Sequence, residues 1–214
     1  MLAIFCGVTD ILAKNCCMPP RLGEEGVQIE GVLADIVEQA ITGITGKMKQ
    51  FMQIIMHIGV MDRVKVDSLL YRITEQCMWL HMESPADSIR FAAYGLFLRL
   101  FPLMDRDRED SRDVDEQLNV MLRMFDDPCY SIRAEAVRRV VEHTANFYNS
   151  LSLEFKKTVL SKVLDELNRD KVWQVREACI ESMECLLGVG GALNAVDKAL
   201  KTIMPRAIND KSEK

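Results

Sequence analysis

The chain has 214 residues, of which 49% are apolar, and it carries a formal net charge of −5. This length can supply a sizeable core, and the mild acidity argues against phosphate binding over the whole surface. The seven cysteines are odd in number and include no Cys-x-x-Cys pair, a usage that indicates reduced thiols in the cytosol or nucleus.

The N-terminal part, residues 1–62, is predicted to form degenerate helical repeats. Its apolar beginning, residues 1–18, is interrupted by Asp10 and Lys14, which favours a buried helix over a signal peptide or a membrane span. The other predictions here are a polar connector over 21–26, helices over 30–43 and 47–60, and a polar break over 62–66. The apolar residues predicted to pack from one side of the 30–43 helix are Val32, Leu33, Ile36, Val37 and Ala40.

Over residues 63–214, a short motif recurs every forty-three residues. Each copy has a polar turn and then one of the dipeptides Ile89-Arg90, Ile132-Arg133 and Val175-Arg176. A period in this range is typical of HEAT and armadillo proteins, in which each repeat is a helix–turn–helix. The sequence therefore predicts an all-α solenoid of the HEAT/armadillo type, with about three repeats over 63–214 and the last one truncated.

Apolar residues spaced three and four apart predict the helices of these repeats. The predicted spans are 66–82, 88 to about 104, a helix restarting at Asp113, and then 153–169, 174–188 and 193–208. Ser131 is predicted to be the N-cap of the helix that follows the Asp-Asp-Pro turn. The last helix resembles the first helix of a further repeat, so we expect the sequence to be part of a longer chain.

One arginine stands in the apolar stripe of each second helix, namely Arg90, Arg133 and Arg176. A buried guanidinium needs a partner, so we interpret these arginines as structural and not as nucleic-acid contacts. The predicted partners are Asp127 and Asp170, each six residues before an arginine, bonding within a repeat or between repeats. Position 84 holds serine where the pattern expects aspartate, so Arg90 is expected to bond differently.

No set of residues indicates catalysis or a bound cofactor. The three histidines are scattered without cysteine or histidine at ligand spacing, and no cysteine has a base beside it in the sequence. Residues 43–47 imitate a phosphate-binding loop, but Ile41 and Met48 stand where that motif needs glycine and serine or threonine. We therefore expect a protein that is not an enzyme and has no cofactor, metal or small-molecule substrate.

Four cations are candidates for contact with nucleic acid. They are Arg138, Arg139, Lys157 and Lys162, which lie opposite the apolar stripes of their helices. Acidic residues accompany them, which favours a solvated salt-bridge face, and contact with DNA is the alternative. A further candidate is Ser111, in the charged loop over 105–113, as a target for phosphorylation.

From about residue 66 to residue 214, the chain resembles the G-type HEAT-repeat non-SMC subunits of condensin II. The matching pieces are residues 69–72, Trp79, residues 84–90, the Phe101-Pro102 pair, the turn over 126–128 with Ile132 and Arg133, and residues 205–214. A Phe-Pro pair after an apolar helix, followed by a charged loop and then Asp-Pro, is more specific than the repeat period alone. The first sixty-odd residues match this family weakly.

The resemblance implies a non-catalytic scaffold subunit that binds the kleisin chain of condensin II beside the SMC ATPases. It implies a protein of the nucleus that is associated with chromosomes in mitosis and takes part in their condensation. It also implies DNA or chromatin as a further ligand on the concave face, and no membrane. The alternative function is a generic HEAT/armadillo adaptor in transport or signalling, because such a protein would show the same repeat period.

Overall fold

The computed structural model describes residues 24–43, 63–105 and 113–208, and the regular secondary structure within these ranges is helical throughout. The helices are α1 (Glu24–Ile41), α2 (Arg63–Met82), α3 (Asp87–Leu100), α4 (Val114–Met124), α5 (Tyr130–Asn146), α6 (Leu153–Ser161), α7 (Trp173–Leu187) and α8 (Leu193–Ile208). The predicted all-α fold is confirmed. The helices predicted over 1–18 and 47–60 and the loop residue Ser111 lie outside the described residues.

The chain divides into two compact units, Met1–Val114 and Asp115–Lys214. The division predicted from the sequence, between residues 62 and 63, stays a prediction because most residues around it lie outside the described ranges.

In the first unit, α2 packs against both α1 and α3. Leu70 and Met78 of α2 and Phe97 of α3 are fully buried, and the Trp79 ring lies 5.3 Å from the Phe97 ring between centroids. Arg72 donates to Glu30 at 2.8 Å, and the imidazole of His81 lies 3.9 Å from the carboxylate of Glu38. Both contacts join residues about one repeat apart in the same order, so α1 and α2 run parallel.

In the second unit, α5 and α7 form the most extensive helix pair. Ile132, Val137 and Val140 of α5 and Val175 and Cys179 of α7 are at most 1% exposed. These two helices are the second helices of consecutive repeats in the predicted register. Their parallel packing is therefore the stacking by which HEAT and armadillo repeats cover one another's apolar faces.

Two further contacts in the second unit keep the same register. Arg138 bonds to Glu181 at 2.9 Å, and the Tyr148 hydroxyl donates to the Gly191 carbonyl at 3.1 Å. Each joins residues that are forty-three apart. The period read from the sequence is thus also the offset between contacting residues of successive repeats.

Several predicted helix boundaries are wrong. Residues 24–26 and 63–66 were expected in connectors but are helical, so α1 and α2 both begin earlier than predicted. The helix predicted to reach about 104 ends at Leu100, where Phe101 turns to extended backbone with φ −58° and ψ 138°. The following Pro102 explains this end, because a residue before proline avoids the helical conformation.

The predicted packing side of α1 is only partly correct. Val37 and Ala40 are buried and Leu33 is half-buried, whereas Val32 is 59% and Ile36 is 41% exposed. The apolar residues of this helix extend around more of its circumference than the contact with α2 covers. The spacing of apolar residues identified one side of α1, but it did not show how far the contact with the neighbouring helix extends around that side.

The helix predicted over 153–169 is not uniform. Ser152 caps α6 by accepting from the Phe155 amide at 3.1 Å, and regular α-helix continues to Ser161. A π-helical turn, Lys162–Glu166, and a 3-10 turn, Leu167–Arg169, then complete the segment. The burial of Val163 and Leu167 shows that the apolar stripe continues through these turns.

The stacking of α5 on α7 predicts a large cost for a cavity between them. Ile132 is 1% exposed, and Ile132→Ala should lower the free energy of unfolding by roughly 2–5 kcal/mol. Urea unfolding followed by circular dichroism measures this loss. Leu153 is 63% exposed, so Leu153→Ala is the matched control and should change stability by less than about 0.5 kcal/mol. Equal losses for the two variants would contradict the assigned core.

Candidate functional site

Arg133 joins two successive inter-helix turns of the second unit. Its Nε and Nη2 donate to the two carboxylate oxygens of Asp170 at 2.8 and 3.0 Å. Its Nη1 donates to the carbonyls of Asp127 at 2.8 Å and Pro128 at 3.0 Å, in its own turn. The side chains of Arg133 and Asp170 are only 15% and 10% exposed. This bidentate geometry combines charge with directional hydrogen bonds and is specific to a guanidinium.

The carboxylate of Asp170 is held in the ionised state. Its Oδ1 also accepts the Val172 amide at 2.8 Å. Burial alone would raise the pKa of this carboxyl, but the hydrogen bonds from Arg133 and Val172 and the charges of Arg133 and Arg176 outweigh burial and lower it. A single carboxylate therefore orders its own turn and binds the arginine of the preceding repeat.

Arg176 makes the same contacts with its own turn as Arg133 does. Its Nη1 donates to the carbonyls of Asp170 at 2.7 Å and Lys171 at 3.2 Å, six and five residues earlier. The sequence predicted the aspartates as partners but missed these carbonyls. The fixed spacing from turn to arginine was the signal that could have found them, because backbone acceptors need no particular side chain.

Arg90, in the first unit, repeats this arrangement with one difference. Its Nη1 donates to the carbonyls of Ser84 at 2.9 Å and Pro85 at 3.3 Å, and its Nη2 donates to Asp87 at 2.8 Å. The carboxylate of Asp87 comes from the same turn, three residues before Arg90. The three arginines thus share one task, the satisfaction of turn carbonyls. We name Arg90, Arg133 and Arg176 with Asp127 and Asp170 the arginine ladder.

Asp127 orders the turn that precedes α5. Its Oδ1 accepts the Cys129 amide at 2.8 Å, and its side chain is buried. The prediction of Ser131 as N-cap is wrong, because α5 begins at Tyr130 and Cys129 occupies the cap position without a side-chain bond. An aspartate two residues earlier supplies the local acceptor that a capping serine would have supplied.

Three of the four nucleic-acid candidates lie in ion pairs. Their nitrogen–oxygen distances are 2.9 Å for Arg138–Glu181, 3.0 Å for both Arg139–Glu135 and Arg139–Glu142, 2.9 Å for Lys162–Asp126 and 2.8 Å for Lys162–Glu166. Lys157 is exposed, and no described residue forms an ion pair with it. Cations that carboxylates already neutralise contribute little to a phosphate-binding surface.

The remaining reactive groups do not assemble into a reaction centre among the described residues. No three His, Cys, Asp or Glu side chains there converge on a possible metal position, and no helix there could span a bilayer. Burial and the charge of Asp170 raise the pKa of the Cys179 thiol to about 12, and burial and Glu38 raise that of Cys77 to about 11. These thiols stay protonated at neutral pH and pack as small apolar groups.

The geometry of Arg133 predicts a large effect of its removal. Arg133→Ala should lower the free energy of unfolding by roughly 2–4 kcal/mol, because it strands the Asp170 carboxylate and two turn carbonyls. Arg138→Ala and Arg139→Ala are matched controls on the same helix and should each cost less than about 0.5 kcal/mol. Similar thermal shifts for the three variants would mean that Arg133 is not the buried member.

The lowered pKa of Asp170 predicts a pH dependence with a definite sign. Because its folded pKa lies below its unfolded value, the pair stabilises the fold at pH values above the unfolded pKa. That contribution is lost as the pH falls through the folded pKa. The stability difference between the wild type and Asp170→Asn should therefore be largest above about pH 5 and shrink toward about pH 2. Exposed Glu177→Gln is the control, and a difference that grows on acidification would contradict the assignment.

Comparison with known proteins agrees with the resemblance read from the sequence. The family described as the condensin II non structural maintenance of chromosomes subunit matches residues 24–105, which contain α1, α2 and α3. Condensin-2 complex subunit G2 of Xenopus laevis is 24% identical over 111 residues, which are 50% of this chain and 10% of that protein. No solved structure matches the chain.

The matched range corrects one detail of the sequence analysis. It begins at residue 24 and so includes α1, whereas the resemblance was placed from about residue 66 onward. The aligned part amounts to about a tenth of the relative's length. Through residues 24–105 the chain is similar to the condensin II non-SMC subunit family.

Proposed function

We propose that this chain is a non-catalytic scaffold segment of condensin II that binds the kleisin chain and lies beside the SMC ATPases. The observation that carries the proposal is the family match over residues 24–105, which covers the described helices of the first unit. The proposed place of action is the nucleus, on chromosomes that condense in mitosis. The aligned part is about a tenth of the relative's length. The partners are therefore proposed for this segment and not for the whole length of the relative.

The arginine ladder supports a scaffold role. A stack of helix pairs presents a long surface only if successive repeats keep a fixed offset. The contact of Arg133 with Asp170 fixes that offset in the second unit through one guanidinium and one carboxylate. A binding surface built on such a stack is pre-organised, which reduces the entropy that a partner loses on binding.

The kleisin contact is proposed at two exposed aromatic residues in the second unit. Tyr130 and Trp173 are the first residues of α5 and α7 and are 43% and 37% exposed. Because these helices pack in parallel, we infer that the two residues lie along one edge and are separated by roughly one interhelical spacing, about 8–10 Å. An extended chain advances about 10 Å in three residues, so a short extended segment of the kleisin is long enough to span both aromatic residues. Exposed Arg169 and Lys171 beside Trp173 favour an acidic stretch of the kleisin.

Contact with DNA is not favoured by a specific observation. Of the four candidate cations, only Lys157 stands without a carboxylate partner among the described residues. A binding surface for duplex DNA needs several such cations together. We therefore leave DNA out of the proposed function of this segment.

A generic HEAT/armadillo adaptor is the competing function, and affinity capture separates the two. The chain, immobilised and exposed to nuclear extract from mitotic cells, should retain the kleisin and SMC subunits of condensin II. Retention of transport or signalling proteins without any condensin subunit would contradict the proposal. Mass spectrometry of the retained proteins identifies which outcome occurs.

The aromatic edge has its own matched pair of variants. The double variant Tyr130→Ala with Trp173→Ala should lower kleisin retention at least about tenfold, the effect of losing one interfacial hot spot. The double variant Leu153→Ala with Leu187→Ala removes side chains that are 63% and 51% exposed in the same unit and should leave retention unchanged. Equal kleisin retention by the two double variants would rule out the aromatic edge as the kleisin contact, while leaving the condensin assignment intact.

A further inference from the structure

Ser84 occupies the position of a ladder aspartate. It precedes Asp127 by forty-three residues, as Asp127 precedes Asp170. Its Oγ accepts the Ala86 amide at 3.2 Å, and the two aspartates accept the amides two residues after them at 2.8 Å. The first-unit turn therefore has the same side-chain-to-amide hydrogen bond as the other two turns, but no negative charge at the position of their aspartates.

The guanidinium of Arg90 already lies at this turn. Its Nη1 donates to the carbonyl of Ser84 itself at 2.9 Å, and its Nη2 donates to Asp87 at 2.8 Å. Arg90 is 8% exposed, so its charge acts in a partly desolvated setting where a nearby anion interacts strongly. An anionic group on the Ser84 side chain would share this guanidinium with Asp87.

The turn also has the features of a protein-kinase substrate. Ser84 is followed by Pro85, and this is the one Ser-Pro or Thr-Pro dipeptide in the 214-residue sequence. Glu83 and every residue from Pro85 to Ser88 are exposed, and Ser84 itself is half-buried. A proline immediately after the acceptor residue is what proline-directed kinases recognise. The serine is thus in a surface turn and in the sequence context that such an enzyme reads.

We propose that Ser84 is a phosphorylation site for a proline-directed protein kinase and that its phosphate supplies, beside Arg90, the negative charge that an aspartate supplies at the same position of the other two turns. In this reaction the Ser84 Oγ forms a bond to the γ-phosphorus of ATP, the bond from that phosphorus to the bridging oxygen breaks, and ADP leaves. The proton of the serine hydroxyl is released to the kinase base. The product carries a charge of about −1.5 to −2 at neutral pH and three acceptor oxygens.

The phosphate has one attractive and one repulsive neighbour in this turn. Arg90 offers charge-assisted hydrogen bonds, which arginine forms especially well with phosphate. Asp87 carries like charge and already occupies the Nη2 of Arg90. The phosphate and the Asp87 carboxylate therefore compete for Arg90. We expect the phosphate to stabilise the turn, and removal of the Asp87 charge should enlarge this stabilisation.

The first experiment tests the site. The full chain is incubated with ATP and a proline-directed kinase, and the phosphate is located by peptide mass spectrometry. We expect phosphate on Ser84 in the wild type and in Ser88→Ala, which changes a neighbouring serine without a following proline. Ser84→Ala should lose it, and Pro85→Ala should lower the rate at least about tenfold. Phosphate on other residues alone, or none on the wild type, would overturn the proposal.

The second experiment tests the role of the phosphate. Phosphorylation should slow hydrogen exchange in the peptide over 83–90 and raise the melting temperature of the chain by about 2–4 °C. Both effects should be larger in Asp87→Asn and should be lost in Arg90→Gln. If Arg90→Gln does not fold, the comparison of Asp87→Asn with the wild type decides alone. Faster hydrogen exchange on phosphorylation would overturn the proposed role of the phosphate. So would an effect of phosphorylation that is no larger in Asp87→Asn than in the wild type.

Discussion

The bond between Arg133 and Asp170 is the interaction on which the described stacking depends. A guanidinium that is largely removed from water is costly unless its donors are satisfied, and here three nitrogens donate to one carboxylate and two carbonyls. The carboxylate belongs to the next repeat and the carbonyls to its own. Sliding α5 along α7 by one helical turn would break both bonds to Asp170, so this polar contact fixes an offset that apolar packing alone would leave loosely determined.

The difference between side-chain patterns and backbone contacts explains which features were predictable from the sequence. The period and the arginines were visible because they are side-chain patterns, and the all-α fold followed from them. The carbonyl partners of Arg176, the end of α3 at Leu100 and the start of α5 at Tyr130 were missed. They depend on backbone groups and on a local competition between Pro102 or Asp127 and the helix, which apolar periodicity does not record.

The candidate functional residues show the same limit. Their charges could be read from the sequence, but the acids that face them from another helix were missed, as with Glu181 beside Arg138. The two residues are one repeat period apart, so the period would have identified this pair if it had been applied to surface residues. The position of Ser84 in the pattern was visible in the sequence, whereas its hydrogen bond with the Ala86 amide was not.

The central claim is that Arg133 and Asp170 are energetically coupled across the repeat boundary. A double-mutant cycle with Arg133→Met and Asp170→Asn, measured by urea unfolding at neutral pH, tests it most directly. The account predicts a coupling energy of about 1–3 kcal/mol, against less than about 1 kcal/mol for the exposed pair Arg138 and Glu181 in a parallel cycle. A coupling near zero for Arg133 and Asp170, or one no larger than that of the exposed pair, would contradict the account.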